Sequence, residues 1–164
     1  MKRWEFTGEE KTVLGVVLKR IRATVEFTLK CGIKVKAGEN GGWIEKEENL
    51  SGNAWVSGDA RVYGNACVSG NARVYGNARV SGDACVSGDA HYFQIGPAGS
   101  RNDYTTFMRD KQGIIYVSCG CFYGTINEFR EKVKRTHGDN KHAKVYLAAA
   151  DLAELQIDTT PIDE

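Results

Sequence analysis

The chain has 164 residues and a formal charge of +1, long enough to bury a core without disulfides or structural metal. By direct count, segments 1–49, 50–91 and 92–164 carry +2, 0 and −1, so no segment has the basic surplus that duplex nucleic acid demands. No apolar run reaches membrane-spanning length, and Met1-Lys2-Arg3 is followed by Trp4-Glu5-Phe6 rather than a signal-peptide core, which predicts a cytoplasmic protein with no membrane partner. Five cysteines with no C-x-x-C pair suit reduced thiols. Cys119-Gly120-Cys121 offers two thiolates, but His137 and His142 are not spaced to complete a zinc tetrahedron, so neither metal nor cofactor is expected.

In chain order, the first 43 residues alternate as strands over Val13–Phe27 and Gly32–Val35, with a turn at Gly38–Gly42, and predict a β-hairpin cap. From Asn53 the chain then reads NAWVSG, DARVYG, NACVSG, NARVYG, NARVSG, DACVSG and DAH, a six-residue unit without insertions. Val56, Val62, Val68, Val74, Val80 and Val86 each follow an Ala by two positions, and period-two alternation points both types inward. Three hexads close one triangular coil, so Val56 stacks on Val74, Val62 on Val80 and Val68 on Val86 at about 4.8 Å. The phase extends back through Leu50 and Ile44, which places the solenoid at 44–92. Asn or Asp beside Gly at every corner is expected to accept the positive φ of a sharp bend.

An aliphatic residue followed four positions later by a small one, as in Val56 and Ala60, resembles hexapeptide-repeat proteins. That resemblance implies a left-handed parallel β-helix and a homotrimer. Many members are acyltransferases, some are carbonic anhydrases and others are structural, so it specifies fold more than function. Outward residues fall into three columns: Trp55, Arg73 and His91; Arg61 and Arg79; Cys67 and Cys85. The last, flanked by Ser69 and Ser87, is small and uncharged, and is expected to form the oligomer interface.

After His91 the period stops. Gln94–Asn102 reads as a loop leading to strands Tyr104–Arg109 and Ile114–Ser118, and a helix follows with a Thr125/Glu128 capping box, an Ile126, Phe129, Val133 stripe and a stop at Gly138. A second helix over 140–155 carries Val145, Tyr146, Ala149 and Leu152 at core spacing. The expected fold class is thus mainly β, with an N-terminal cap (1–43), a left-handed parallel β-helix (44–92), a C-terminal ββαα module (93–158) and a disordered tail (159–164).

Chemistry concentrates in Gly96-Pro-Ala-Gly-Ser-Arg-Asn, where glycines let backbone N–H groups approach an anion and Ser100, Arg101 and Asn102 add donors. Thr105, Thr106 and Arg109 extend this set toward a phosphorylated small ligand, and Tyr104, Phe107 or Tyr123 would stack a base. His91 is the candidate base if the chain is an acetyl-coenzyme A-dependent acyltransferase; a protein-binding scaffold is the third reading. The Trp4-Glu-Phe-Thr-Gly8 opening, the Gly41–Ser51 lead-in, Cys119-Gly-Cys-Phe-Tyr-Gly124 and Thr136-His-Gly-Asp-Asn140 together resemble proteins of bacteriophages and prophages. That resemblance supplies no activity, but it suggests a nonenzymatic oligomer that sequesters an immune-signalling nucleotide.

Overall fold

Leu14 and Gly15 both take positive φ (52° and 79°), the backbone of a two-residue hairpin loop whose twist matches its flanking strands. They join strand β1 (Trp4–Val13) to β2 (Val16–Ala23), splitting the expected Val13–Phe27 stretch. A small hairpin, β3 (Phe27–Thr28) with β4 (Lys34–Val35), precedes β5 (Asn40–Ile44). The computed structural model describes residues 1–163 and forms two compact units, the first Met1–Asp89 and the second beginning at Ala90.

Strand β5 is antiparallel to β2 on one side and parallel to a repeat strand on the other. The N-terminal hairpin therefore continues a solenoid sheet and supplies partners to backbone groups that an open edge would leave unpaired. At this junction Gly41 and Gly42 are required sterically. A Cβ on Gly41 would lie 2.7 Å from the Val56 carbonyl oxygen, and one on Gly42 2.6 Å from Val56 Cγ1.

Each hexad contributes one two-residue strand: β6 (Trp55–Val56), β7 (Arg61–Val62), β8 (Cys67–Val68), β9 (Arg73–Val74), β10 (Arg79–Val80) and β11 (Cys85–Val86). They pair in parallel eighteen residues apart, as β5-β7-β10, β6-β9 and β8-β11, with Leu50 bridged to Val68. These are the expected valine stacks, and all six valines are fully buried. At the corners the left-handed backbone falls on Gly52, Gly58, Gly64, Gly70, Gly76 and Gly82 (φ 60–69°). This corrects the expectation for Asn and Asp: the neighbouring glycine, free of a Cβ, takes the bend. Their side chains work elsewhere, Asn65 Nδ2 donating to Asp83 Oδ1 one coil on at 3.2 Å. Buried Asn49 donates to the carbonyls of Gly64 and Ala66 and accepts from the Lys46 N–H, fastening the first coil.

The second unit is an antiparallel sheet, β12 (Tyr92–Ala98), β13 (Asp103–Arg109), β14 (Ile115–Cys119) and β15 (Phe122–Thr125), followed by helices α1 (Ile126–His137) and α2 (Lys141–Gln156). Two strands were thus hidden from the sequence. The supposed Gln94–Asn102 loop is largely β12, whose Gly96-Pro97 sits where the register shifts on an edge strand, the place a sheet tolerates proline. Thr125 and Glu128 form the expected capping box, and Gly138 ends α1 at φ 62°. Asn140 caps α2 by accepting from the Ala143 N–H.

Phe107, Val117, Phe129, Val133, Tyr146, Ala150 and Ala153 fill the core of this unit. Leu152, expected in the core, is instead 49 % exposed, because Ala149, Ala150 and Ala153 form the packed stripe of α2. Arg130 of α1 reaches Asp151 (2.8 Å) and Glu154 (2.7 Å) of α2, and this pairing lowers the Glu154 pKa. Beyond α2 the Asp158 N–H donates to the Ala90 carbonyl and, in the 159–164 tail, the Ile162 N–H donates to that of Lys111. Among the described residues no helix is long and apolar enough to cross a membrane.

Val62 lies between Ile44 and Val80 in its stack. Val62→Ala should destabilise the first unit by about 2–3 kcal/mol through lost burial and a residual cavity. The exposed control Val17→Ala should change little; chemical denaturation of both variants checks the difference.

Candidate functional site

The β12–β13 turn carries three of the sequence-predicted site residues, Ser100, Arg101 and Asn102. Gly99 (φ 76°) lies against the Tyr146 ring, where any Cβ would overlap it. The Ser100 N–H donates to Tyr146 Oη (3.1 Å), and the Ser100 hydroxyl lies 3.3 Å from the same oxygen. Tyr146 therefore anchors the turn to α2. Arg101 extends beside the two-residue turn between β14 and β15, and its guanidinium occupies the space that a Gly120 side chain would fill. The central glycine of Cys119-Gly120-Cys121 serves both its positive φ (58°) and this close approach.

These groups border a cleft of about 210 Å³ whose other walls come from β15, α1 and α2. Phe122, Phe129, Val133 and Tyr146 give it an apolar, aromatic floor; Ser100, Arg101, Cys119, Cys121, Lys132, Thr136 and His137 supply the polar lining. Phe129 sets its ring edge-on to Tyr146 at 5.9 Å, and His137 stacks on Tyr146 at 5.7 Å, so one tyrosine organises the turn, α1 and α2 together. Arg101 and Lys132 are exposed, leaving their charged ends accessible to an anion. A second hollow, about 430 Å³, adjoins Lys2, Trp4, Glu47 and Asn53 in the first unit. Its lysine is already engaged, 2.7 Å from Glu47 and 4.1 Å above the Trp4 ring.

Other sequence-predicted residues are placed elsewhere. Arg109 is fully buried and donates to the backbone carbonyls of Asp110, Lys111 and Asp158, so it pins the chain rather than a ligand. Thr105 and Thr106 are 2 % and 1 % exposed, which removes them from direct contact; Thr105 Oγ1 donates to Cys119 Sγ (3.3 Å), behind the cleft. Asn102 is exposed at φ 50° and shapes the turn, while Tyr104 is half-buried outside the cleft lining. Of the proposed stacking rings, Phe107 is buried in the core and Tyr123 stacks on Tyr116. Sequence reasoning missed Phe122, Phe129, Lys132 and Tyr146 as cleft residues. The available signal was polar Lys132, Thr136 and His137 interleaved with the apolar Phe129–Val133 stripe of α1.

Cys67 pairs with Cys85 across β8 and β11, and with Ser69 and Ser87 they form a half-buried face of small side chains. The five cysteines are free thiols. Among the described residues no group of three or more His, Cys, Asp or Glu is arranged to hold a metal.

His91 does not line the cleft; it lies near Arg109 and Asp158. Burial, then the Arg109 charge, depress its pKa below the usual 6.5 against an opposing pull from Asp158. The folded chain thus binds this proton less readily than the unfolded chain, so its contribution to stability is complete above about pH 6.5 and declines as pH falls. Melting temperatures recorded from pH 7.5 to 5 should fall less steeply for His91→Gln than for the native chain, whereas parallel curves would remove His91 from the acid sensitivity.

Residues 54–70, 60–76, 66–82 and 72–88 match a family model described as the YdcK beta solenoid repeat, four overlapping matches confined to the hexad repeats. No curated protein and no solved structure matches the chain. The family match and the eighteen-residue pairing agree that this part of the chain is a repeat β-solenoid.

Proposed function

We propose that this is a nonenzymatic, oligomeric β-solenoid protein whose C-terminal cleft binds a phosphorylated small molecule, in the narrowest reading a nucleotide. One observation carries the proposal: Arg101 and Lys132 flank a cleft floored by Phe122, Phe129 and Tyr146. Two accessible cations suit a phosphate through charge-assisted hydrogen bonds, and an aromatic floor suits a flat base. Ser100, with its backbone N–H and hydroxyl held at Tyr146, adds a positioned polar group beside Arg101.

In this reading the prism is left-handed and trimeric, with Cys67, Ser69, Cys85 and Ser87 at the subunit contact, because small uncharged side chains let two sheet faces approach closely. The resemblance to phage proteins adds a role, retention of an immune-signalling nucleotide in the host cytoplasm. The acyltransferase reading is weaker, since His91 lies outside the cleft and its depressed pKa has a structural cause.

Calorimetric titration with a panel of nucleoside mono- and diphosphates and cyclic nucleotides tests the reading. At least one should bind, and Arg101→Ala and Lys132→Ala should each weaken it by about 1.5–3 kcal/mol, roughly ten- to a hundredfold, with the melting temperature unchanged. Absence of binding across the panel, or equal affinities in all three proteins, would contradict it.

A further inference from the structure

Cys119 ends β14, and Cys121 sits in the two-residue turn that leads into β15, with Cys119 paired to Phe122 across it. Both line the C-terminal cleft, so their side chains leave the turn on one side. Two residues of fully extended chain span at most about 7 Å, and the bend at Gly120 (φ 58°) shortens that. The two Cα atoms are thereby brought into the range that a disulfide bridges, about 4.4–6.8 Å.

The two thiols differ in access and in partners. Cys121 is exposed, whereas Cys119 is half-buried and its Sγ accepts from Thr105 Oγ1 at 3.3 Å. An outer thiol open to reagents beside an inner one held in place lets the first react and the second displace what was added. Charge selects the reagent. The Arg101 guanidinium packs against Gly120, the residue between the two cysteines, and Lys132 lines the same cleft from α1. Among the described residues that line the cleft none is Asp or Glu, so its charged side chains favour an anion.

We propose that Cys119 and Cys121 form a redox-active dithiol, a modification site for small anionic disulfides of the glutathione disulfide class. The Cys121 thiolate attacks one sulfur of the reagent. The reagent's S–S bond breaks, a mixed disulfide forms on Cys121, and the other half leaves as a thiolate that takes up the proton Cys121 shed. The Cys119 thiolate then attacks the Cys121 sulfur, the mixed bond breaks, and the second half of the reagent leaves as a Cys119–Cys121 disulfide forms. Two electrons pass from the protein to the reagent, which is reduced to two thiols. Arg101 and Lys132 attract the reagent's carboxylates and offset the negative charge spread over the reacting sulfurs. The reaction needs no other occupant of the cleft and so stands apart from the phosphorylated-ligand reading.

The test exposes the full chain carrying Cys31→Ser, which removes the exposed thiol of the β3–β4 loop, to glutathione disulfide. After quenching at intervals, mass spectrometry follows the tryptic peptide 112–130, which holds both Cys119 and Cys121. That peptide should lose two hydrogens and resist alkylation until it is reduced. In the same background Cys119→Ser should instead accumulate a stable adduct on Cys121, and Cys121→Ser should form its adduct on Cys119 about tenfold more slowly. The Arg101→Ala, Lys132→Ala double variant should lower the ratio of rates with glutathione disulfide and with uncharged hydroxyethyl disulfide by about tenfold. A peptide that keeps both thiols open to alkylation, an adduct that persists on Cys121 with Cys119 present, equal adduct rates in the two serine variants, or an unchanged rate ratio would overturn the site.

Discussion

The constraint on which the solenoid depends is the stacking of inward aliphatic residues every eighteen positions. Val62 on Ile44 and Val80, Val68 on Leu50 and Val86, and Val56 on Val74 are buried without exception, and each of the six valines lies two residues after a buried alanine. A slip of one residue would turn Arg61, Cys67 and Arg73 into the interior and the valines out to water, so burial fixes the register. Once the register is fixed, outward residues have no freedom of column. Trp43, Arg61 and Arg79 must line up, as must Cys67 and Cys85, and surface chemistry becomes a direct product of the repeat.

The second unit is organised differently, around the single side chain of Tyr146. Its ring packs edge-on to Phe129 and stacks on His137, while its hydroxyl meets the Ser100 backbone and side chain. The tip of the β12–β13 hairpin is thereby held to both helices, and Arg101 is carried to the mouth of an aromatic cleft. Buried Arg109 performs a comparable service on the chain backbone, joining the β13–β14 turn to the Asp158 segment.

The solenoid was legible in the sequence because its period is short and each hexad repeats the same inward pair. The helices were legible, α1 through its Thr125/Glu128 cap and α2 through the spacing of Tyr146 and Ala149. Strand β12 was not, since Gly96-Pro97 reads as a breaker unless the strand is known to lie at an edge. Arg101 and Ser100 were legible as accessible polar residues at a glycine-rich turn, but Arg109 was misassigned because local sequence does not reveal that a guanidinium is buried against carbonyls. Lys132 and Tyr146 meet Arg101 only through packing of the helices on the sheet, a long-range arrangement that no local spacing encodes.

Native mass spectrometry of the protein purified from cells, followed by denaturation and analysis of what is released, tests the central claim most directly. The account predicts an oligomer, a trimer in its narrowest form, carrying a phosphorylated small molecule that is lost from the Arg101→Ala, Lys132→Ala double variant without loss of assembly. A ligand-free native protein, or a phosphorylated passenger retained undiminished by the double variant, would contradict it.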